Sequence, residues 1–437
     1  MLATAHQTIF AHAGGLGTGD APKWLLLYGA IAVMVAAYLY ARATFRTARL
    51  SEGAGTAMPK WFDDATAVAR ILLEILGVVF LILAIAAGLF GSRQPASNVA
   101  GPLLFIVAWY VPIVVNAVFG NVHAAANPFI TIVRGLTRIG VKFRKHDNPA
   151  TWTAPVMIAA FVWYEFAYFD SFSPKNCAIF VAAYVVAVAV GVGLWGAEWL
   201  ESGEGFGMFF RIVGSIGILH RGGDDRVQIR IPGSGLTRTS FSPTQLSTVL
   251  VVLTGFVYDI ANFTTASTSQ TIFGKLARGW ANMKIGKLGW SYTFVATIQL
   301  AWILAAIVMI WMAVSKRSWW ATVALVPVTV GLTIAHNYLR ILTDVQNTYA
   351  QLSDPFGKGS DIFGTNSYYP SSLGTSITTI GYVKAVVVAL FGALALVVLH
   401  DRAIERVGVR QALQESMGPI LCVIGTTVIC LNAILGG

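Results

Sequence analysis

The side chains best suited to chemistry lie in the stretch 336–344, HNYLRILTD, at the end of a long apolar run. It contains His336, Arg340 and Asp344 at intervals of four residues. Residues four apart lie on one face of an α-helix, so these three side chains are expected to share one helical face. A histidine, a guanidinium group and a carboxylate arranged in this way can bind a metal ion, relay protons or clamp an anionic group.

Two further carboxylates are predicted to lie at a similar depth in the membrane. Glu165 is in FVWYEFAYF and Asp259 is in GFVYDIANFTT, each about two-thirds of the way along an apolar segment. An ionisable group in hydrocarbon costs about 2.5–3.5 kcal/mol, so such groups usually face the interior of a helix bundle and mark functional sites. The candidate catalytic residues are therefore His336, Arg340, Asp259 and Glu165.

The same side chains are candidate ligands for a divalent metal ion, because imidazole and carboxylate groups are ordinary ligands of hydrolytic metals. The candidate metal ligands are His336, Asp259, Glu165 and His12. His12 joins them because the Gly-rich run 12–20, HAGGLGTGD, is flexible enough to fold back across an outer pocket. The alternative is a structural network, in which Arg340 pairs with Asp259 or Glu165 and His336 bonds a backbone carbonyl.

The elements that hold these side chains are predicted to be transmembrane helices. Of the 437 residues, 56% are hydrophobic and 11% are charged, whereas soluble domains carry about 25% charged residues. The apolar residues occur in blocks of about 20, the length that crosses a bilayer as a helix. The predicted fold class is therefore all-α, a polytopic membrane helix bundle of ten transmembrane helices. The predicted spans are 24–43, 67–90, 101–122, 152–170, 177–198, 246–266, 289–314, 319–343, 378–400 and 413–435.

The basic residues predict the orientation of the bundle. Most of the Lys and Arg fall in every second loop, including 44–60, 123–150 and 199–245, and such loops are cytoplasmic under the positive-inside rule. Both termini are then extracytoplasmic, with 1–23 an extracytoplasmic segment and 24–437 the transmembrane domain. Four basic residues fall in a predicted outer loop, which we interpret as an interfacial helix over 272–290. They are Lys275, Arg278, Lys284 and Lys287.

The loops are predicted to contain some local structure. The stretch 128–145 has the pattern of a surface helix, and RVQIRIP, 226–232, alternates like a strand of a small hairpin. The apolar stretch 199–220 is expected to lie in the headgroup plane or to re-enter the membrane. The Gly- and Ser-rich loop 344–377 is long enough to form a lid over the outer face.

A second polar group is predicted near the cytoplasmic side and has two interpretations. Its members are Glu74, Asn116, Asn121, His123 and Asn127. They can line an inner vestibule. Alternatively, HAAANPF ends one helix and starts the next, with Asn127 as the N-cap and Pro128 in the first turn.

Several functional classes are excluded by composition and by missing motifs. The net charge of +10 is explained by membrane orientation, so no nucleic-acid partner is expected. The Cys residues, Cys177, Cys422 and Cys430, have no metal-ligand spacing. The chain contains no HExxH, GxSxG, SxxK or P-loop motif, so no soluble-enzyme signature assigns a reaction. The expected partners are the lipid bilayer and a small apolar or anionic ligand.

Four phrases, in order along nearly the whole chain, carry a resemblance to a family. They are AHAGGLGTGD (11–20), EWLESGEGF (198–206), SDPFGKGSDIFGT (353–365) and LHDRAIE (399–405). Together they resemble the bacterial integral membrane proteins of the fenitrothion hydrolase family. The resemblance implies a multi-pass protein of the bacterial plasma (inner) membrane that hydrolyses an organophosphate triester.

Three functions remain open from the sequence. As a hydrolase, the outer site would use a metal ion to lower the pKa of a bound water toward about 7, with Arg340 stabilising the phosphoryl charge. As a transporter or channel, the same residues would bind a metal ion or small solute, with Glu74, Asn116 and His123 on the exit path. As a non-catalytic subunit of a larger complex, the cluster would be structural.

Overall fold

The computed structural model describes residues 20–52, 55–144, 150–223, 226–239, 241–267, 288–316 and 319–436. His12, the Gly-rich run 12–19 and most of the predicted interfacial helix 272–290 lie outside these residues. Within them, eight helices are long and apolar enough to cross a bilayer. The chain is therefore an all-α membrane helix bundle, as its hydropathy predicts.

Most of the described chain is helical. The helices are α1 (Lys23–Thr44), α2 (Arg49–Glu52), α3 (Lys60–Phe90), α4 (Ala100–Phe119), α5 (His123–Ala126), α6 (Pro128–Arg138), α7 (Thr153–Phe166), α8 (Pro174–Trp195), α9 (Trp199–Ser202), α10 (Gly205–Gly214), α11 (Ser234–Arg238), α12 (Pro243–Ser267), α13 (Leu288–Val314), α14 (Leu325–His336), α15 (Tyr338–Gln351) and α16 (Ile377–Ile434). The strands are β1 (Thr56–Ala57), β2 (Leu219–Arg221) and β3 (Val227–Ile229), and 3₁₀ turns occupy Pro95–Ser97 and Trp319–Ala324.

Proline and glycine mark several helix ends. Pro174 and Pro243 occupy the first positions of α8 and α12, where a missing N–H costs nothing because the first helical N–H groups have no intrahelical acceptor. Gly196 ends α8 with a φ of 82°, a conformation that glycine adopts without the clash of a Cβ. These local signals fix the borders of helices whose existence follows from hydropathy alone.

Helix α16 contains two spans joined by a turn at Gly408. A straight helix of 58 residues would be about 87 Å long, far more than the roughly 30 Å of a bilayer core. Gly408 has φ 75° and ψ 164°, and the chain folds back there. The two predicted spans 378–400 and 413–435 are the two halves of this hairpin.

Contacts with α1 show that the halves of α16 are antiparallel. Near the start of α1, Lys23 Nζ donates to the Gly436 carbonyl (2.7 Å), and the backbone N–H of Asp20 donates to Thr378 Oγ1 (3.2 Å). Near its end, the rings of Tyr38 and His400 are 5.5 Å apart. Both halves of α16 therefore run along α1 between the same two ends of the bundle. We call the end where α1, α4, α8 and α13 finish the basic end, and the other the opposite end.

The helix found within the predicted span 152–170 is shorter than the prediction. This helix, α7, has 14 residues and ends at Phe166, so it extends only about 21 Å. The chain then turns through 167–173 before α8 begins. This early end places Glu165 in the last turn of α7, inside the bundle.

A small sheet covers part of the basic end, as the alternation in 226–232 predicts. β3 pairs antiparallel with β2 on one side and with β1 on the other. The backbone N–H of Val227 also donates to Asp63 Oδ1 in the first turn of α3 (2.8 Å). The strand prediction is confirmed, with β1 as an additional partner.

The stretch 199–220 re-enters the bundle. In α10, Met208, Phe209 and Phe210 are buried, and the ring of Phe209 lies 5.1 Å from that of Trp109 in α4. Gly205 allows the start of α10 to lie close to α7, because a Cβ there would meet Met157 Cβ at 2.9 Å. This stretch therefore packs into the bundle, and its position relative to the headgroup plane stays a prediction.

Candidate functional site

The polar stretch 336–344 is divided between two helices. α14 ends at His336 and α15 begins at Tyr338, with Asn337 between them at φ −96° and ψ 13°. The Thr333 carbonyl accepts both from the backbone N–H of Asn337 (3.1 Å) and from its side-chain Nδ2 (3.1 Å), which stabilises the end of α14. Arg340 and Asp344 therefore share one face of α15, as expected, whereas His336 belongs to the end of α14 and is separated from them by Asn337.

His336 forms a close pair with Asp259. His336 Nε2 lies 3.0 Å from Asp259 Oδ2, and the side chains are 5% and 15% exposed. α12 supplies the aspartate at the point where it packs against α14. A carboxylate beside one ring nitrogen fixes the orientation of an imidazole and stabilises its protonated form, as in catalytic histidines. The structure thus brings the predicted site residues His336 and Asp259 together inside the bundle.

Arg340, Tyr110 and Glu165 form a second buried group. The Tyr110 hydroxyl donates to Glu165 Oε1 (2.8 Å) and accepts from Arg340 Nη1 (3.2 Å). Arg340 Nη1 lies 3.9 Å from Glu165 Oε1. The tyrosine therefore joins a cation on α15 to a carboxylate on α7. The Glu165 side chain is 1% exposed, and a carboxylate so deeply buried requires such partners.

The guanidinium group of Arg340 is held on several sides. Its Nε lies 3.5 Å from Asp344 Oδ2, one turn further along α15. Its central carbon lies 4.9 Å from the ring centre of Tyr110 and 5.4 Å from that of Phe172, at the distance of cation–π interactions. Among the described residues, no hydrogen bond is formed by Nη2. The group is fixed in position and retains a donor for a ligand.

Glu165 also keeps an unused atom. Its Oε2 is buried and has no hydrogen-bond partner within the described ranges. An unpaired buried polar atom costs about 1–3 kcal/mol. Such an atom in a polar cluster is typical of a site completed by a ligand or by water.

Tyr110 was not among the predicted site residues, and the backbone explains its position. Residues Leu103–Tyr110 of α4 form a π-helix, in which each turn holds an extra residue and which often occurs at functional sites. Pro112, two residues after Tyr110, lacks the N–H that would continue the regular hydrogen-bond ladder. The sequence signal that could have indicated Tyr110 is a tyrosine two residues before a proline within an apolar span.

The predicted metal set is not assembled in the described part of the chain. No three His, Cys, Asp or Glu side chains come together there as metal ligands. Glu165 is engaged by Tyr110 and Arg340, while Asp259 is engaged by His336. The two carboxylates thus belong to separate pairs, and the joint ligation of one metal ion by His336, Asp259 and Glu165 stays a prediction that these contacts do not support. The fourth predicted ligand, His12, lies outside the described residues.

The second polar group is partly explained by helix capping. The Asn127 side chain accepts from the N–H groups of Phe129 (2.9 Å) and Ile130 (3.4 Å), so its N-cap role at the start of α6 is confirmed. Glu74 pairs with Arg70 and with Arg134 of α6. Asn127 and Glu74 therefore have structural contacts at the basic end of the bundle.

The loop after α15 is ordered by its own side chains. Burial alone would raise the pKa of Asp354, but hydrogen bonds from Ser360 Oγ and from the N–H groups of Lys358 and Gly359 outweigh it and lower that pKa. The loop docks on the connection between α3 and α4, where Ser92 N–H donates to the Phe356 carbonyl (2.7 Å). It therefore lies at the opposite end of the bundle.

In comparisons with known proteins, no family model, no curated protein and no solved structure matches this chain.

Proposed function

We propose that this protein is an integral membrane hydrolase of organophosphate triesters, of the fenitrothion hydrolase type, with its site in the outer half of the bilayer. In this proposal the chain has ten spans in a bacterial plasma membrane, and the opposite end is extracytoplasmic. The observation that carries the proposal is the His336–Asp259 pair (3.0 Å), which lies four residues from a buried arginine. A histidine held by a carboxylate is the arrangement of a general base.

The chemistry can be written with side chains alone. His336 accepts a proton from a water molecule on the ring nitrogen that does not face Asp259. The water oxygen attacks the phosphorus, the bond to the aryloxide leaving group breaks, and the imidazolium returns its proton to that leaving group. Asp259 stabilises the imidazolium between these steps. General-base catalysis of this kind contributes about 10²–10⁴-fold in rate.

Arg340 supplies the electrostatic part of the proposed mechanism. Negative charge develops during attack on the non-bridging atom of the phosphorus centre, an oxygen in a phosphate triester and a sulfur in the thioate fenitrothion, and Arg340 Nη2 is the donor for it. Glu165 and Asp344 act as positioning residues, because they hold the guanidinium from two sides. An apolar triester partitions into lipid, so a site at this depth suits such a substrate.

Transport of an anion is the second candidate, and the break at Asn337 favours it. Interrupted helices at membrane depth occur where the backbone lines a cavity, and secondary transporters bind solutes at such breaks. The same Arg340 donor would then bind the anion without any chemical step. The two functions differ in whether a triester is consumed.

The activity can be tested in purified protein in lipid nanodiscs. We expect release of the nitrophenol from fenitrothion, and we expect that release to survive treatment with EDTA, because the proposed base is a side chain. Metal analysis before and after EDTA provides the control. If the activity disappears with EDTA and returns with Zn²⁺, the nucleophile is a metal-bound water and His336 is not the general base. No hydrolysis by metal-replete protein would overturn the hydrolase proposal.

The orientation is tested by labelling introduced cysteines in a variant without native cysteines. We expect a membrane-impermeant maleimide applied to intact cells to modify Ser360→Cys and to spare Gly222→Cys. Both positions lie in loops, at opposite ends of the bundle. Permeabilised cells, in which both should react, provide the control. The reverse pattern in intact cells would place the His336 site in the cytoplasmic half.

A further inference from the structure

A cavity of about 280 Å³ lies between α3, α4 and α8, on a part of α4 that does not include Tyr110. We call it the α3–α4 groove. Most of its lining residues are apolar, among them Leu76, Phe80, Ala108 and Val111, and the polar ones are Asn116, His123, Asn127, Tyr184 and Glu204. No residue of the His336–Arg340 site lines it, so it requires a separate explanation.

The groove borders lipid. α3 forms one wall, and only 17% of its apolar window is buried inside the protein. The lining runs along α3 from Leu73 to Ala84, a length of about 16 Å at 1.5 Å per residue. That length is about half of a bilayer core. The groove therefore matches an acyl chain of the leaflet at the basic end.

A polar atom lies at the basic end of the groove. Asn116 is fully buried and lines the groove. Its Oδ1 accepts from the backbone N–H of His123 (2.9 Å), but its Nδ2 has no partner among the described residues. An amide N–H left without an acceptor in hydrocarbon is costly. A lipid ester carbonyl at this depth is an acceptor that the bilayer provides.

The mouth of the groove is positively charged. Glu74 lies beside the lining residue Leu73, and its Oε1 is shared by Arg70 of α3 and Arg134 of α6. Within this trio two guanidinium groups face one carboxylate, an excess of one positive charge. The other carboxylate of the groove, Glu204, is fully buried and accepts from the N–H groups of Phe206 and Gly207. The side chain of Arg70 is 46% exposed and that of Arg134 is 32% exposed, so both are accessible at the protein surface.

We propose that the α3–α4 groove binds one acyl chain of an anionic glycerophospholipid from the leaflet at the basic end. The ester carbonyl of that chain accepts from Asn116 Nδ2, and the phosphate lies against Arg70 and Arg134. This lipid is a bound component of the protein and is distinct from any ligand of the His336–Arg340 site.

Filling the groove tests the acyl chain. Ala108→Phe is expected to reduce the phosphatidylglycerol that remains bound after delipidation, measured by native mass spectrometry, by about tenfold or more relative to wild type. The matched control is Val186→Phe, which adds an aromatic ring at a lipid-facing position of α8 that is 62% exposed. It should retain lipid like the wild type. Equal retention in both variants would overturn the proposal.

Changing the lipid tests the two polar contacts without altering the fold. In wild-type protein, ester-linked phosphatidylglycerol should bind about threefold to tenfold more tightly than its dialkyl ether analogue, which lacks the carbonyl acceptor. It should also bind about fivefold more tightly than phosphatidylcholine. Arg134→Gln should remove this headgroup preference, whereas Arg93→Gln, at the opposite end, should keep it. Equal binding of all three lipids would contradict the proposed contacts, and so would displacement of the lipid by glycerol phosphate alone.

Discussion

Replacing His336 by alanine is expected to lower triester hydrolysis by about 10²–10⁴-fold, because the variant loses the general base. Asp259→Asn should lower it by a smaller factor, since the amide still contacts the ring but no longer stabilises the imidazolium. Initial rates of nitrophenol release in nanodiscs measure both effects. The loss should appear in kcat more than in KM, because the base acts on the attacking water and not on substrate binding.

Two controls separate catalysis from folding in this experiment. His220→Ala removes an imidazole from β2, at the basic end, and should leave the rate unchanged. Yield and thermal unfolding in detergent should be similar for His336→Ala and wild type. Full activity in a well-folded His336→Ala protein would remove this residue from the site. A variant that loses activity only together with its fold would support a structural network.

Replacing Arg340 by methionine is expected to lower the free energy of unfolding by about 3–5 kcal/mol, because it leaves the buried Glu165 carboxylate without its cation. Arg340→Met combined with Glu165→Gln should recover much of that loss, since glutamine still accepts from Tyr110 and carries no charge. Unfolding in mixed micelles by increasing dodecyl sulfate provides the measurement. A double-mutant cycle with Glu165→Gln alone isolates the coupling between the two side chains.

An exposed ion pair of the same protein is the matched control for that cycle. Lys316 Nζ lies 3.3 Å from Glu415 Oε1, with side chains 58% and 35% exposed, so Glu415→Gln should cost less than about 1 kcal/mol. Arg340→Lys keeps the charge but loses the planar fork, and should reduce hydrolysis more than stability. Strictly additive effects of Arg340→Met and Glu165→Gln would show that the pair is not coupled.

The hydropathy pattern predicts most of the fold because each helix must satisfy its own backbone in lipid, which ties apolar length directly to structure. It cannot predict where a helix stops inside the protein. α7 ends early at Phe166, and α10 re-enters against Trp109. Both depend on aromatic packing between segments that are distant in sequence. Gly408 is one of many glycines, and only its tertiary setting distinguishes it.

The candidate site is partly predictable for a related reason. A charge in hydrocarbon is conspicuous in a sequence, so Glu165, Asp259, His336 and Arg340 can be found from it. The pairing of these side chains cannot be found from the sequence, because it depends on which helices are neighbours. The carboxylates were expected to share one metal ion, whereas Asp259 faces His336 and Glu165 faces Arg340. Tyr110 has no charge and was missed, although it bridges the second pair.

The docking of α1 against the hairpin of α16 has a consequence for how the protein is made. Met34, at the middle of α1, is fully buried and packs on Gly392, a residue translated more than three hundred codons later. At about 5–20 residues per second, the ribosome needs some tens of seconds to reach it. During that interval α1 is already in the bilayer without its main neighbour. α1 must therefore be stable in lipid without this contact until α16 has been translated.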